Sequence, residues 1–189
     1  VGITQDAGGL TVGGTSSFNG GAGPITLTTA SNDFTGAVSA NNTGANAIQL
    51  TDANAIQLGT ISTQNNLSVT AVGITQNAGG LTVGGSSTFN GGAGAITLTT
   101  ASNDFGGAVS ANNSGANAIQ LTDANAIQLG TVATANDLTV TAVGITQDAG
   151  GLTVGGTSSF NGGAGPITLT TASNDFTGAV SANNTGANA

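Results

Sequence analysis

Residues 25–63 read ITLTTASNDFTGAVSANNTGANAIQLTDANAIQLGTIST. Apolar residues alternate with Thr or Gln in Ile25-Thr26-Leu27, Ile48-Gln49-Leu50 and Ile56-Gln57-Leu58. Period two is the pattern of a strand with one face turned inward. Polar corners such as ASND (30–33) and DANA (52–55) separate the strands, and Asn/Gly-rich turns follow them. No stretch has helical spacing. The inward candidates are Ile25, Leu27, Phe34, Val38, Ile48, Leu50, Ile56, Leu58, Ile61, Leu67 and Val69, joined by Ile3, Leu10, Val12 and Phe18.

Outward from this stretch the chain repeats itself. VGITQDAGGLTVGG starts at Val1, VGITQNAGGLTVGG at Val72, and VGITQDAGGLTVGG again at Val143, a period of 71. Residues 143–189 are identical to 1–47, and 72–142 differ from 1–71 at eleven places. These include Asp6→Asn77, Pro24→Ala95, Thr35→Gly106, Ile61→Val132 and Asn66→Asp137. Two full repeats, 1–71 and 72–142, and a partial third, 143–189, are expected to form one continuous segment, 1–189, of a longer array.

Within one period, three units share a plan of strand, corner, strand and turn. They start at Ile25, Ile48 and Leu67, and the third, the longest, takes VGITQNAGG as its corner. A sandwich or barrel has non-equivalent strands and does not repeat almost verbatim, whereas a solenoid does. The expected fold is all-β: a right-handed parallel β-helix (β-solenoid) with about three coils per 71-residue repeat and about eight coils in all. The right hand follows from the crossover preference of parallel strands. The Asn-Gly-Gly steps at 19–21, 90–92 and 161–163 supply backbone with positive φ, either as hairpin turns or as corners of coils. One repeat carries only sixteen Ile, Leu, Val and Phe side chains, too few to order the whole repeat alone, so stability must accumulate as coil stacks on coil.

Composition removes most functions. The chain has no Lys, Arg, His, Cys, Met, Trp, Tyr or Glu. Its only ionisable side chains are Asp6, Asp33, Asp52, Asp104, Asp123, Asp137, Asp148 and Asp175, a net charge of −8. Nothing neutralises phosphate, so nucleic acid is not an expected partner. No apolar run is long enough to cross a bilayer as a helix, and membrane insertion is not expected. Disulfides and Cys/His zinc sites are excluded.

The run LTVGGTSSFNGGAGPITLTTASNDFTGAVSANN (10–42), with LTDANAIQLGT (50–60) and NLSVTAVGITQ (66–76), resembles the repeat regions of large bacterial surface proteins. These are the filamentous-haemagglutinin-like proteins of two-partner secretion and the giant autotransporter adhesins. The resemblance covers the whole chain. It implies a right-handed β-helical shaft, export to the bacterial cell surface or beyond, and a role in adhesion or matrix.

The candidate chemistry is sparse. A Ser-His-Asp or Ser-Lys arrangement lacks its base. Two aspartates such as Asp33 and Asp52 form a conceivable glycosidase pair, but they recur with every repeat, as structural residues do. Asn32-Asp33, Asp52/Asn54 and Gln5-Asp6 offer oxygen ligands for calcium, against a plainer reading in which Asp and Asn bond to backbone groups at corners. Asp6 becomes Asn77, so that position tolerates loss of charge. Thr26/Thr28, Thr97/Thr99 and Thr168/Thr170 suggest an ice-binding face, interrupted by Gln49/Thr51 and Ser68/Thr70. Asn41, Asn66, Asn112 and Asn183 head glycosylation sequons that matter only in a glycosylating host. The six phenylalanines, 18, 34, 89, 105, 160 and 176, are expected as core anchors.

No catalytic, cofactor or metal residue is therefore assigned. The expected function is the shaft of an extracellular fibre or adhesin, self-associating end to end or laterally into fibres, with a host or neighbouring cell surface or glycan as a further partner. The alternative is a binding module whose Asn/Thr faces contact glycans, neighbouring rods or ice.

Overall fold

A computed structural model describes residues 1–187 and contains strands and turns but no helix among them. All strand pairs are parallel, and each joins one coil to the next, as in Ile3↔Ile25, Ile25↔Ile48 and Ile48↔Leu67. The result is a β-solenoid of about nine turns, with about 21 residues per turn. At ~4.8 Å per coil the stack is about 43 Å long.

Each turn contributes one segment to each of two main sheets. The first sheet contains Ile25–Leu27, Ile48–Thr51, Leu67–Thr70, Ser87–Asn90 and Val109–Asn112; the second contains Val38–Asn42, Ile56–Thr63, Ile74–Gln76 with Leu81–Val83, and Ile96–Leu98 with Asp104–Phe105. Inward side chains stack in register through the interior. Ile48 lies between Ile25 and Leu67, all buried, and the whole inward set from Ile25 to Val69 joins one core. Ile3, Leu10, Val12 and Phe18 are only partly buried because they sit in the first turn; their counterparts Ile74, Leu81, Val83 and Phe89 are fully buried.

The two sides of a turn are unequal, and the difference migrates. In turns three to six the first-sheet side is one straight four-residue strand. Opposite it, in turns three to five, the second-sheet side is longer: 56–63, then 74–83, then 96–105. The longer path is tied to the same corners as the shorter one, so it must bow outward. The bow starts as a bulge at Gly59-Thr60, where Leu58 and Gly59 are both buried and the alternation breaks. The Thr60 N–H donates to Ser39 Oγ at 3.1 Å, and a Cβ on Gly59 would collide with that same oxygen. In the next two turns the bend widens to 77–80 and then 99–103. In turns seven to nine the bent side is back on the first sheet, at 127–134, 145–154 and 167–176.

Counting segments corrects the expected coil number. Repeat one supplies seven: 3–12, 16–21, 25–34, 38–42, 48–51, 56–63 and 67–70. Seven half-turns are three and a half coils, not three, and nine turns replace the expected eight. The longest of the three sequence units, the one that starts at Leu67, holds three segments. Its supposed corner contains the strand Ile74–Gln76, and Ser87–Asn90, read as part of a turn, is a full rung. Because seven is odd, equivalent residues of successive repeats lie in opposite sheets. Ile25–Leu27 is in the first sheet and Ile96–Leu98 in the second. Successive repeats are thus related by half a rotation and a rise of about 17 Å, a pseudo-twofold screw.

Two further placements follow from the topology. Asp33 and Asp104 lie on opposite sides of the solenoid, as do Thr26/Thr28 and Thr97/Thr99. The Asn-Gly-Gly steps are corners, not hairpins. The second glycine of each, Gly21, Gly92 and Gly163, carries the positive φ of 55°, 50° and 53°.

Candidate functional site

Inside each bend an asparagine ties neighbouring coils together, three of them at Asn32 and at Asn103. Asn32 is fully buried. Its Oδ1 accepts from Gln5 Nε2 and from the Leu10 N–H, while its Nδ2 donates to Gln5 Oε1, to the Leu27 carbonyl and to the Thr51 carbonyl one coil further on. Gln76 with Asn103 and Gln147 with Asn174 repeat the pair. All the polar capacity of Asn32 is used within the fold, which takes it out of the ligand set considered for calcium.

Asp52 closes the end of a bend. It is buried; one carboxylate oxygen accepts the Phe34 N–H at 3.0 Å and the other the Asn54 N–H at 2.9 Å. Asp123 does the same for Phe105 and Asn125. Burial pushes the Asp123 carboxyl above its ordinary value; the Asn125 and Phe105 N–H groups pull it back, and the nearby Asp104 charge pushes it further up. Asp33 is half-buried with Asn54 Nδ2 at 3.4 Å, and Asp6 is exposed, accepting from the Gly8 N–H. Asp6, Asp52 and Asp123 thus cap backbone N–H groups at corners, whereas Asp33 meets the Asn54 side-chain amide. Among the described residues no three His, Cys, Asp or Glu side chains gather as a metal-binding group.

The phenylalanines pair edge to face across the interior: Phe18–Phe34, Phe89–Phe105 and Phe160–Phe176, each with centroids 6.0 Å apart. The outward rank on the first sheet is mixed, with Thr26, Gln49 and Ser68 in register. Of the sequon asparagines, Asn41 is half-buried, and Asn66, Asn112 and Asn183 are exposed.

One concave feature escaped the sequence reading. Where the bent side of turn two gives way to the straight strands of turns three to six, a recess of about 410 Å³ opens along the edge of the first sheet. Ala30 of the bend and Asp52 stand at one end. Thr51, Thr70, Asn90 and Asn112, stacked in register, form one wall, with Ala71, Val72, Gly92 and Ser114 beside them. Val72 is 50% exposed, as is its counterpart Val143, while nearly every other large apolar side chain of the interior turns is buried. Gly73, at φ 101°, turns the chain immediately after Val72, so the valine cannot follow its neighbours inward. The available signal was an apolar residue out of step with the alternation, directly before a glycine. The same ladder recurs half a rotation away as Thr122, Thr141, Asn161 and Asn183. The recess offers hydrogen bonding and apolar contact; its one carboxylate, Asp52, is already engaged.

A family model described as "Repeats of unknown function (DUF5649)" matches residues 1–41, 45–112 and 116–183. The second and third matches are offset from each other by one period of the repeat. No curated protein and no solved structure matches the chain.

Proposed function

The chain belongs to the family of repeats of unknown function DUF5649, and on that footing we propose that it is the shaft of a secreted or cell-surface bacterial fibre or adhesin. It is a repeat protein built as a solenoid, and the observation that carries the reading is its extensibility. Seven coils regenerate the same core, corners and surface, so length is added without any new kind of contact. A shaft has to span distance and stay folded; Asn32, Asp52 and Asp123 spend their hydrogen bonds on holding bends and corners closed. The absence of Lys and Arg removes trypsin-type cleavage sites, an advantage outside a cell.

The resemblance to filamentous-haemagglutinin-like and autotransporter repeat regions supports a surface location. The second reading, a binding shaft, is favoured by the recess, whose Thr/Asn ladder and exposed Val72 suit a neutral partner such as a glycan or another rod.

Two measurements test the shaft. Electron microscopy of the purified chain is expected to show straight rods with a ~4.8 Å axial spacing. Antibody against the repeat is expected to label intact, unpermeabilised source cells. Globular particles, or labelling only after permeabilisation, would overturn the proposal.

A further inference from the structure

Bends and straight runs alternate on both sheets, and they do so out of phase. The first sheet is bent in turns one and two, straight in three to six, and bent again in seven to nine. The second sheet is straight in turns one and two, bent in three to five, and straight in six to nine. At every height but turn six, one side bows outward while the other is flat. A rod of this outline fits itself. With two rods parallel and level, the first sheet of one faces the second sheet of the other, and each bend of about three coils meets a straight run of at least as many.

We infer that the straight run of the first sheet, with the recess beside Val72, is the seat for the second-sheet bend of another copy of this chain. This rests on the shaft reading and names its lateral partner. The period is the main argument. A partner that engages every recess along the array must share the ~34 Å repeat of seven coils, and a second copy does so by construction. Area is sufficient as well. The chain exposes 7786 Å². A specific interface needs about 800 Å² per partner, roughly a tenth of that surface. The tips that would enter are small and uncharged in two of the three bends: Gly59-Thr60, and Asn77-Ala78-Gly79 where the first and third repeats carry an aspartate.

The contact joins two different faces. Each rod keeps a free first sheet on one side and a free second sheet on the other, so pairing does not close and rods add edgewise into a sheet one rod thick. Every rod carries −8 and no cation, so repulsion opposes assembly and salt relieves it.

The test is sedimentation and electron microscopy of the 189-residue chain across concentration, at low and high salt. Single rods at low salt that join side by side, level and in one-rod-thick sheets, as salt rises are the expected result. Val72→Asp is expected to weaken lateral association at least tenfold, and Val72→Thr, nearly the same shape, less than threefold. Both should melt as the parent does, because the side chain is half exposed. Rods that stay single at all concentrations, association that weakens with salt, equal association of V72D and parent, or saturable glycan capture by single rods would each overturn the inference while leaving the shaft intact. Globular particles would instead overturn the shaft itself.

Discussion

The side-chain amides of Gln76 and Asn103 grip each other in both directions: Gln76 Nε2 donates to Asn103 Oδ1 at 2.6 Å, and Asn103 Nδ2 donates to Gln76 Oε1 at 3.1 Å. Asn103 is fully buried and also serves the Leu81 N–H and the carbonyls of Leu98 and Thr122. Replacing it by Ala leaves several buried groups unpaired, each costing about 1–3 kcal/mol. Asn103→Ala is therefore expected to lose at least about 3 kcal/mol by urea unfolding followed by circular dichroism. Asn103→Asp should be worse at neutral pH and recover in acid, because a carboxylate would face two carbonyl oxygens. A midpoint unchanged by N103A would show that the pair holds nothing.

The Asp123 carboxyl, raised mainly by burial, makes a pH-dependent contribution of unusual sign for an aspartate. The folded chain holds this proton more tightly than the unfolded chain does. The contribution is fully present below the unfolded value of 3.8 and is lost as pH rises through the higher folded value. Asp123→Asn removes the titration. The stability of the parent minus that of D123N should fall as pH increases from about 4 toward neutrality. A difference that grows with pH would contradict the assignment.

Ser87 is fully buried between Leu67 and Val109, and its hydroxyl has no hydrogen-bond partner among the described residues. Ser16 and Ser158 repeat the arrangement. Ser87→Ala removes an unsatisfied polar atom and almost no volume, so a gain of about 1 kcal/mol is expected in the same unfolding assay. A loss of that size would mean that the hydroxyl is bonded after all.

Gly59 leaves room for Ser39 Oγ, and Gly130 does so for Ser110. Gly130→Ala should cost about 1–3 kcal/mol through overpacking. Ser110→Gly should relieve much of that penalty while losing the bond from the Thr131 N–H. A double-mutant cycle with strong favourable coupling is the expected result; simple additivity would place the collision elsewhere.

Fibre diffraction from an aligned, longer array distinguishes whole from half-integral coils. Three and a half coils with a half rotation give a strong meridional spacing at about 17 Å, a weak one at about 34 Å and the coil spacing at ~4.8 Å. A repeat of about 14 Å would restore three coils per sequence repeat.

The strands with two inward aliphatic residues were legible at once: Ile25/Leu27, Ile48/Leu50, Ile56/Leu58 and Leu67/Val69 all point inward and stack as the alternation requires. Ser87–Asn90 was not legible, because its inward positions are a serine and a single phenylalanine, and alternation cannot be seen through a small polar residue. Ile74–Gln76 was hidden for a related reason. Its one inward side chain sits among glycines that read as a corner. The Ser87–Asn90 rung alone takes the count per repeat from six to seven, while Ile74–Gln76 lengthens a segment already counted through Leu81–Val83, so the fold class was readable and the coil number was not. The corner roles of Asp52 and Asn32 followed from residue type. The recess did not, since it arises from unequal side lengths in successive turns.

An odd number of half-turns per repeat gives the array a parity. Inserting or deleting one repeat unit rotates everything beyond it by half a turn about the axis, although neither the core nor any junction changes. Whatever is carried at the far end then looks in the opposite direction. Duplication of repeats, the commonest way a tandem array varies, therefore does more than set reach: it toggles azimuth. Only variation in pairs of units lengthens the rod and leaves its heading as it was.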